Sequence, residues 1–372
     1  MKNIQLKIEE LRKKQGISQK DLADQIGVSF QSISKWENGV NMPDITLLPV
    51  ISDFFSVTVD ELLGLKPLPN REYISSKTDT LEFWRHKSNY LSKNKIMFWN
   101  DDYLEFLVKS VWKLDKPVNI IDFGCGTGFL GSKLLPLLPP GSSYTGIDLN
   151  LYFIEEARCY FSHTEYKTEF INCDLYSYLP DKTFDIVISQ AVLRHLSKPK
   201  EVLKKMTESV TTGGLVICIE VNREFENDGL YIDGMDYNYL CTGFDYHQSW
   251  KTELEKQGRD YAIGVRIPLY MKEFGLHDID VRVSDKVLFI DPQKPEYENL
   301  LQDFIHINGW DHTPNEEEIE GSIALFMNRG MTRTEAEAYI KRQSAISNHL
   351  NRHYTDASLL KFLGLVISWG KK

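Results

Sequence analysis

The stretch VNIIDFGCGTGFLG, Val118 to Gly131, decides the fold. Val118, Ile120, Ile121 and Phe123 read as a buried strand, Gly124, Gly126 and Gly128 as a tight turn, and the residues after them as the start of a helix. A strand that turns sharply into a helix brings bare backbone N–H groups beside the helix N-terminus. Residues without a Cβ let a ligand approach such a turn closely. Asp122 offers a carboxylate at the strand end. Twenty residues past Gly128, Asp148 ends a second apolar run, YTGIDLN. An acid at the end of a second strand can accept hydrogen bonds from both hydroxyls of a ribose. The pattern predicts a nucleoside site, with a dehydrogenase-type domain left open as the alternative.

Downstream, the chain alternates as a parallel sheet requires. LYFIEEARCYFSH reads as a helix and TEFINCDLYSYLP as a short strand ending at Cys173–Asp174. Phe184 to Ser189 is a buried strand, KPKEVLKKMTESVTTGG an amphipathic helix ended by Gly213–Gly214, and LVICIEVN another buried strand. Four strands with helices between them predict a doubly wound, Rossmann-like α/β domain.

GCGTG and its surroundings resemble motif I of class I S-adenosylmethionine (SAM) methyltransferases, and the similarity runs from about Val118 to Asn222. The resemblance implies SAM as cofactor. It places Asp122, Gly124, Cys125, Gly126 and Gly128 at the turn, Asp148 and Leu149 at the ribose, and Cys173, Asp174 and Leu175 at the adenine. Ser189 and Gln190 follow the fourth strand, where the family lines the methionine end. His195, on the loop that faces substrate, is the first candidate for a base, and Glu220, at the end of the fifth strand, the second; His195 reads equally as a packing or capping residue. Methyltransferases acting on exocyclic amino groups of DNA bases carry an Asn/Asp-Pro-Pro-aromatic string after the fourth strand, and cytosine C5 enzymes a Pro-Cys. Here the chain reads Ser-Gln-Ala-Val, so the acceptor is expected to be a small molecule.

The first 65 residues read as five short helices punctuated by Gly16, Gly27 and Gly39, with Ser18, Ser29 and Thr58 as N-caps. SQKDLADQIGVSFQSISKWENGVNMPDITLLPVISDFFSVTVDELLG resembles the lambda-repressor-like XRE family throughout. That family lays its third helix in the major groove of DNA. The resemblance places Gln19, Gln31, Ser32, Ser34 and Lys35 against bases or phosphates, with Ala23, Val28, Ile33, Leu48 and Leu62 in the core. Trp36 and Glu37 read instead as holding the third and fourth helices together. Seven basic side chains against nine acidic ones leave no general positive field over this segment. Any grip on DNA must come from a local patch such as Lys13, Lys14, Lys20 and Lys35, and a docking or dimerisation module is the alternative. Such domains bind as two-fold dimers, so a homodimer is expected.

The expected organisation is a helix-turn-helix domain over 1–65, a linker over 66–79 and a methyltransferase domain over 80–372. The latter divides into a helical cap (80–116), a core (117–222), a substrate lid (223–266), a helical insertion (about 292–357) and a last strand (about 359–370). The cap carries Trp84, Tyr90 and Tyr103 as candidates to cover the cofactor, and the lid carries Tyr231, Tyr237, Tyr239, Phe244, Trp250 and Tyr261. The insertion is expected to roof the site or to make a dimer contact. Five scattered cysteines, without CxxC pairs or histidines at zinc spacing, read as reduced thiols of a cytoplasmic protein and predict no metal site. No run is apolar enough to span a bilayer. The fusion admits a small-molecule methyltransferase with a regulatory DNA-binding domain. It also admits a regulator whose methyltransferase fold only senses SAM, and an enzyme whose first domain serves assembly.

Overall fold

A computed structural model of the chain describes residues 4, 6–65, 68, 73, 78, 80–85, 87, 93, 97–236, 240 and 246–372. The stretch read as a linker lies largely outside these residues, as do Tyr90, Tyr237, Tyr239 and Phe244. The chain forms two compact units. One comprises Met1–Ile74, Phe244–Ser249 and Pro314–Lys341; the other Ser75–Gly243, Trp250–Thr313 and Arg342–Lys372.

In the first unit, helices α1 (Ile8–Gln15), α2 (Gln19–Ile26), α3 (Phe30–Glu37), α4 (Leu47–Phe55) and α5 (Val59–Leu62) follow the punctuation of the sequence. Ser18 caps α2 and Thr58 caps α5 through reciprocal boxes with Asp21 and Glu61, each cap worth about 1 kcal/mol. Ile8, Leu22, Ile33, Ile51, Phe55 and Leu62 are fully buried together. Ala23 joins them, whereas Val28 and Leu48 pack only at the margin. Glu37 ties α3 to α1 and α2 rather than to α4. Arg12 donates to both its oxygens at 2.6 and 2.8 Å, and Gln19 Nε2 donates to Oε2 at 2.7 Å. Pro314–Lys341, expected within the methyltransferase region, clusters here. Its Arg333 pairs with Glu320 and Glu337 and lies 3.9 Å from Glu61.

The second unit is built on strands β1 (Asn119–Phe123), β2 (Ser143–Asp148), β3 (Lys167–Asn172), β4 (Phe184–Gln190), β5 (Val210–Val221), β6 (Leu230–Ile232), β7 (His277–Val283), β8 (Val287–Ile290), β9 (Leu359–Phe362) and β10 (Leu365–Lys371). Seven make one sheet in the order β3-β2-β1-β4-β5-β10-β7. Strands β1 to β5 pair in parallel, and β10 runs antiparallel to both neighbours. The central strands are apolar on both faces, as a sheet covered by helices on both sides demands. Ile120, Ile186 and Ile217 face helices α6 (Phe129–Leu134) and α7 (Leu151–Phe161), and Ile121, Val187 and Val216 face α8 (Pro199–Ser209) and a helix over Ile263–Glu273.

Three elements differ from expectation. Helix α8 stops at Ser209, and Gly213–Gly214 lie within β5, where the Gly213 N–H pairs with the Lys372 carbonyl. The apolar run after Gly275 predicts one strand through Ile290, but it divides into β7 and β8, and the stretch expected as one last strand divides into β9 and β10. Strands β6, β9 and β8 form a separate antiparallel sheet. Gly364 makes the second division possible: its φ is +67°, and the Phe225 Cβ stands 2.4 Å from where its own Cβ would be.

Candidate functional site

Strand order reverses between β1 and β4, and the crevice at their carboxyl ends is where open α/β sheets hold ligands. A pocket lies there, bounded by the glycine turn, by Asp148 and Leu149, by Asp174 and Leu175, and by the loop after β4. Trp84, Phe98 and Thr78 also line it.

Several N–H groups of the turn already have partners within the fold. The Gly124 and Cys125 N–H groups donate to the Ile147 carbonyl at 2.8 and 2.9 Å, and Gly126 N–H donates to Asp148 Oδ2 at 2.9 Å. Gly124 has no room for a side chain, since its φ is +80° and the Val192 methyls lie 2.5 and 2.9 Å from an added Cβ. The turn therefore offers close approach, and the acids beneath it supply the polarity.

Asp122 is 1% exposed and accepts the Tyr144 hydroxyl at 2.5 Å through Oδ2; its Oδ1 is buried with no hydrogen-bond partner among the described residues. Burial pushes its carboxyl up to about 7, against the Tyr144 hydrogen bond and with help from the nearby Asp148 charge. Asp148 accepts Asn150 N–H at 2.8 Å through its other oxygen, and burial raises its carboxyl too. Asp174 is exposed at the pocket edge, with Oδ1 accepting Tyr176 N–H at 2.8 Å.

His195 lines the pocket, but its environment opposes a base. Burial lowers its pKa well below the usual imidazole range, and the charges of Arg194, Arg259 and Arg223 lower it further. Arg194 Nε donates to its Nε2 at 3.2 Å, so the neutral ring carries its proton on Nδ1 by inference from that bond. Glu220 is fully buried, and its Oε1 accepts Val192 N–H at 3.0 Å and Leu193 N–H at 2.7 Å. Burial raises this carboxyl to about 7 while Arg194 opposes the rise. His195 is thus a weakened base, and Glu220, though its carboxyl lies near the point of protonation, does not line the pocket.

A helix-turn-helix family model matches residues 8–62, and a methyltransferase-domain model matches residues 114–261. The chain joins a helix-turn-helix domain to a methyltransferase domain. It is 32% identical over 123 residues to the HTH-type transcriptional activator BcrR of Enterococcus faecalis, covering 33% of this chain and 59% of that protein. It is 23% identical over 141 residues to a ubiquinone biosynthesis O-methyltransferase of Rickettsia prowazekii (strain Madrid E), covering 38% and 55%. The chain thus spans little more than half the length of these curated relatives. A Haemonchus contortus phosphoethanolamine N-methyltransferase 2 structure, 15% identical, aligns over 80% of this chain and 60% of that one with a TM-score of 0.44.

The pocket of the methyltransferase domain gathers Asp122, Gly124, Cys125, Gly126, Asp148, Leu149, Asp174, Leu175, Gln190 and His195. It does not gather Tyr103, whose hydroxyl donates to the Val283 carbonyl at 3.2 Å and whose ring stacks on Phe106. Ser189 and Glu220 are buried within the sheet, Gly128 lies outside the lining, and Cys173 is placed by its N–H, which donates to the Asp148 carbonyl at 3.0 Å. No lining residue among those described comes from 292–357. Sequence reasoning missed Thr78, Val192 and Tyr176. Thr78 donates to the His195 carbonyl at 3.1 Å across 117 residues, a link that no local pattern carries.

Trp84, a candidate cover, does line the site. Its indole donates to the Thr78 carbonyl at 2.6 Å, and its ring meets His195 edge-on at 5.1 Å.

In the helix-turn-helix domain, Gln31 and Lys35 are exposed on α3. Ser32 Oγ lies 2.9 Å from Ser29 Oγ, and Ser34 accepts from Asn38 through its carbonyl at 2.7 Å. Gln19 is committed to Glu37. Among the described residues no helix is long and apolar enough to cross a membrane, and no group of three His, Cys, Asp or Glu side chains is placed to hold a metal ion.

Proposed function

We propose that this protein is a SAM-dependent methyltransferase of a small molecule, fused to a domain that binds DNA. The observation that carries the reading is the pair of acids, the buried Asp122 and the half-buried Asp148, beneath a glycine turn that leaves room for close approach. The unpartnered Asp122 Oδ1 and the two raised carboxyls fit a ligand that brings positive charge and sugar hydroxyls. Asp148 and Leu149 would hold the ribose, Asp174, Leu175 and the Cys173 backbone the adenine, and Gln190 with the turn the methionine end. Bound SAM supplies an electrophilic methyl group on a sulfonium.

The chain's own part is to position and to exclude water. Trp84 and Phe98 supply apolar wall, and Gln190 is fixed by accepting the Trp99 indole N–H at 2.7 Å. With His195 and Glu220 engaged as they are, the acceptor must arrive as a competent nucleophile. O-Methyltransferases of ubiquinone biosynthesis among the relatives support a small organic acceptor. The transcriptional activator among them supports DNA binding. In this reading Gln31, Ser32, Ser34 and Lys35 make the contacts, and the protein works in the cytoplasm as the two-fold dimer usual for such domains.

Calorimetric titration with SAM tests the first part. Binding that Asp148→Ala abolishes supports it; no heat or thermal shift in the wild type ends it. Salt-dependent binding to a palindrome upstream of the protein's own reading frame tests the second. The engagement of both candidate bases also favours a second reading, a SAM sensor without turnover. Methyl transfer from SAM to any component of a metabolite pool excludes it.

A further inference from the structure

The loop after β4 forms one wall of the pocket, and Glu220 grips it from within the sheet. Ala191 opens the loop in a left-handed conformation at φ +56°, with its N–H donating to the Ile219 carbonyl at 2.7 Å. A non-glycine residue holds such a conformation only where its surroundings enforce it. The next two N–H groups, of Val192 and Leu193, converge on Glu220 Oε1. Beyond them the chain closes a single 3-10 turn, Leu193–His195, and reaches the pocket again at His195 and Leu196.

That grip reaches the cofactor side through Val192. Its methyls fill the space that a side chain at Gly124 would need, so the loop and the glycine turn are seated against each other. A displaced loop would open a gap against the turn. A buried carboxylate is costly, and here hydrogen bonds from two backbone N–H groups and the charge of the buried Arg194 offset that cost.

We propose that Glu220 is a positioning residue: by accepting the Val192 and Leu193 N–H groups at one oxygen, it holds the 191–196 loop in the shape that the cofactor pocket requires. The proposal rests on the methyltransferase reading for the ligand. It assigns Glu220 no proton transfer, and it asks for an acceptor atom at the Oε1 position rather than for a charge.

The test uses the full chain with Glu220→Leu, Glu220→Asp and Glu220→Gln. S-Adenosylhomocysteine affinity is measured by calorimetry, and hydrogen exchange is followed at the Val192 and Leu193 amides. Leu removes the acceptor, Asp keeps the charge but draws it back by one methylene, and Gln keeps an oxygen in place without the charge. Loss of these bonds is expected to weaken binding about tenfold in Leu and Asp and to speed exchange at both amides, with Gln within about threefold of wild type. If Leu fails to fold, the Asp and Gln pair carries the comparison.

Wild-type affinity and exchange in Asp would overturn the proposal, as would damage in Gln equal to that in Asp. Failure of the wild type to bind either SAM or its demethylated product sinks the cofactor reading instead. The exchange rates still report whether Glu220 holds the loop.

Discussion

Glu37 and Glu220 are both acids taken out of water, one in each compact unit, and they are compensated in opposite ways. Burial works against ionisation of Glu37, but side-chain hydrogen bonds from Arg12 and Gln19 prevail and hold its carboxyl below the usual range. Glu220 receives backbone N–H groups at one oxygen, and burial wins, leaving its carboxyl at about 7. A direct guanidinium pair locks an acid in its charged form. Backbone donors can shape a loop around an acid and still leave it near the point of protonation.

Removing the counter-charge should break the contrast most severely. Arg12→Ala leaves Glu37 buried without its ion partner and should cost about 3 kcal/mol, read as lost hydrogen-exchange protection across α1–α3. Its pH response should then reverse. In the wild type, the stability from Glu37 is present above the unfolded value of 4.5 and is lost as pH falls through its lowered folded value. In the variant, the buried acid should prefer to be neutral.

The next largest effect lies in the pocket. Asp148→Ala removes the acceptor for Gly126 N–H and should weaken SAM about 100-fold, near 2.7 kcal/mol, by calorimetry.

Acidity sharpens the comparison further. Asp122 and Glu220 each rise to about 7, from 3.8 and 4.5. Between those values the folded state keeps protons that the unfolded chain has released. The stability of the second unit should therefore fall as pH rises toward 7, opposite in sign to the Glu37 contribution. SAM, being cationic, should bind more tightly over the same rise and release a proton, seen as a buffer-dependent heat. Glu220→Gln should flatten part of the stability slope and leave the binding slope, which belongs to Asp122.

The smallest effect should be at Lys35. Lys35→Ala should reduce the slope of DNA affinity against salt by about 1 and leave SAM binding unchanged.

The same contrast explains what the sequence could disclose. In the helix-turn-helix domain the decisive bonds are local: Ser18 with Asp21, and Thr58 with Glu61. Their spacing is written in the chain, and the five helices follow from it. Arg12 with Glu37 spans 25 residues, and sequence reasoning tied Glu37 to the wrong helix. Around the pocket, Asp122, Gly124 and Asp148 were legible because a strand, a turn and an acid recur at fixed spacing. The partners that decide their chemistry were not. Tyr144 meets Asp122 across adjoining strands, Val192 meets Gly124 across the sheet order, and Thr78 meets His195 over 117 residues. His195 looked like a base because imidazole is one in water, and only three-dimensional burial beside guanidinium groups removes that capacity. Tyr103 looked like a cover because it is aromatic and precedes the core, yet its hydroxyl is held by the Val283 carbonyl.

Strand β10 lies between β5 and β7, although every other strand precedes it along the chain. A ribosome therefore releases β7 long before β10, which joins it to the main sheet, has been made. Until Leu365–Lys371 emerges, β5 presents an unpaired apolar edge, which chaperones recognise and which aggregates readily. A nascent chain stalled short of Leu365 should consequently be a substrate for quality control rather than a shortened folded domain.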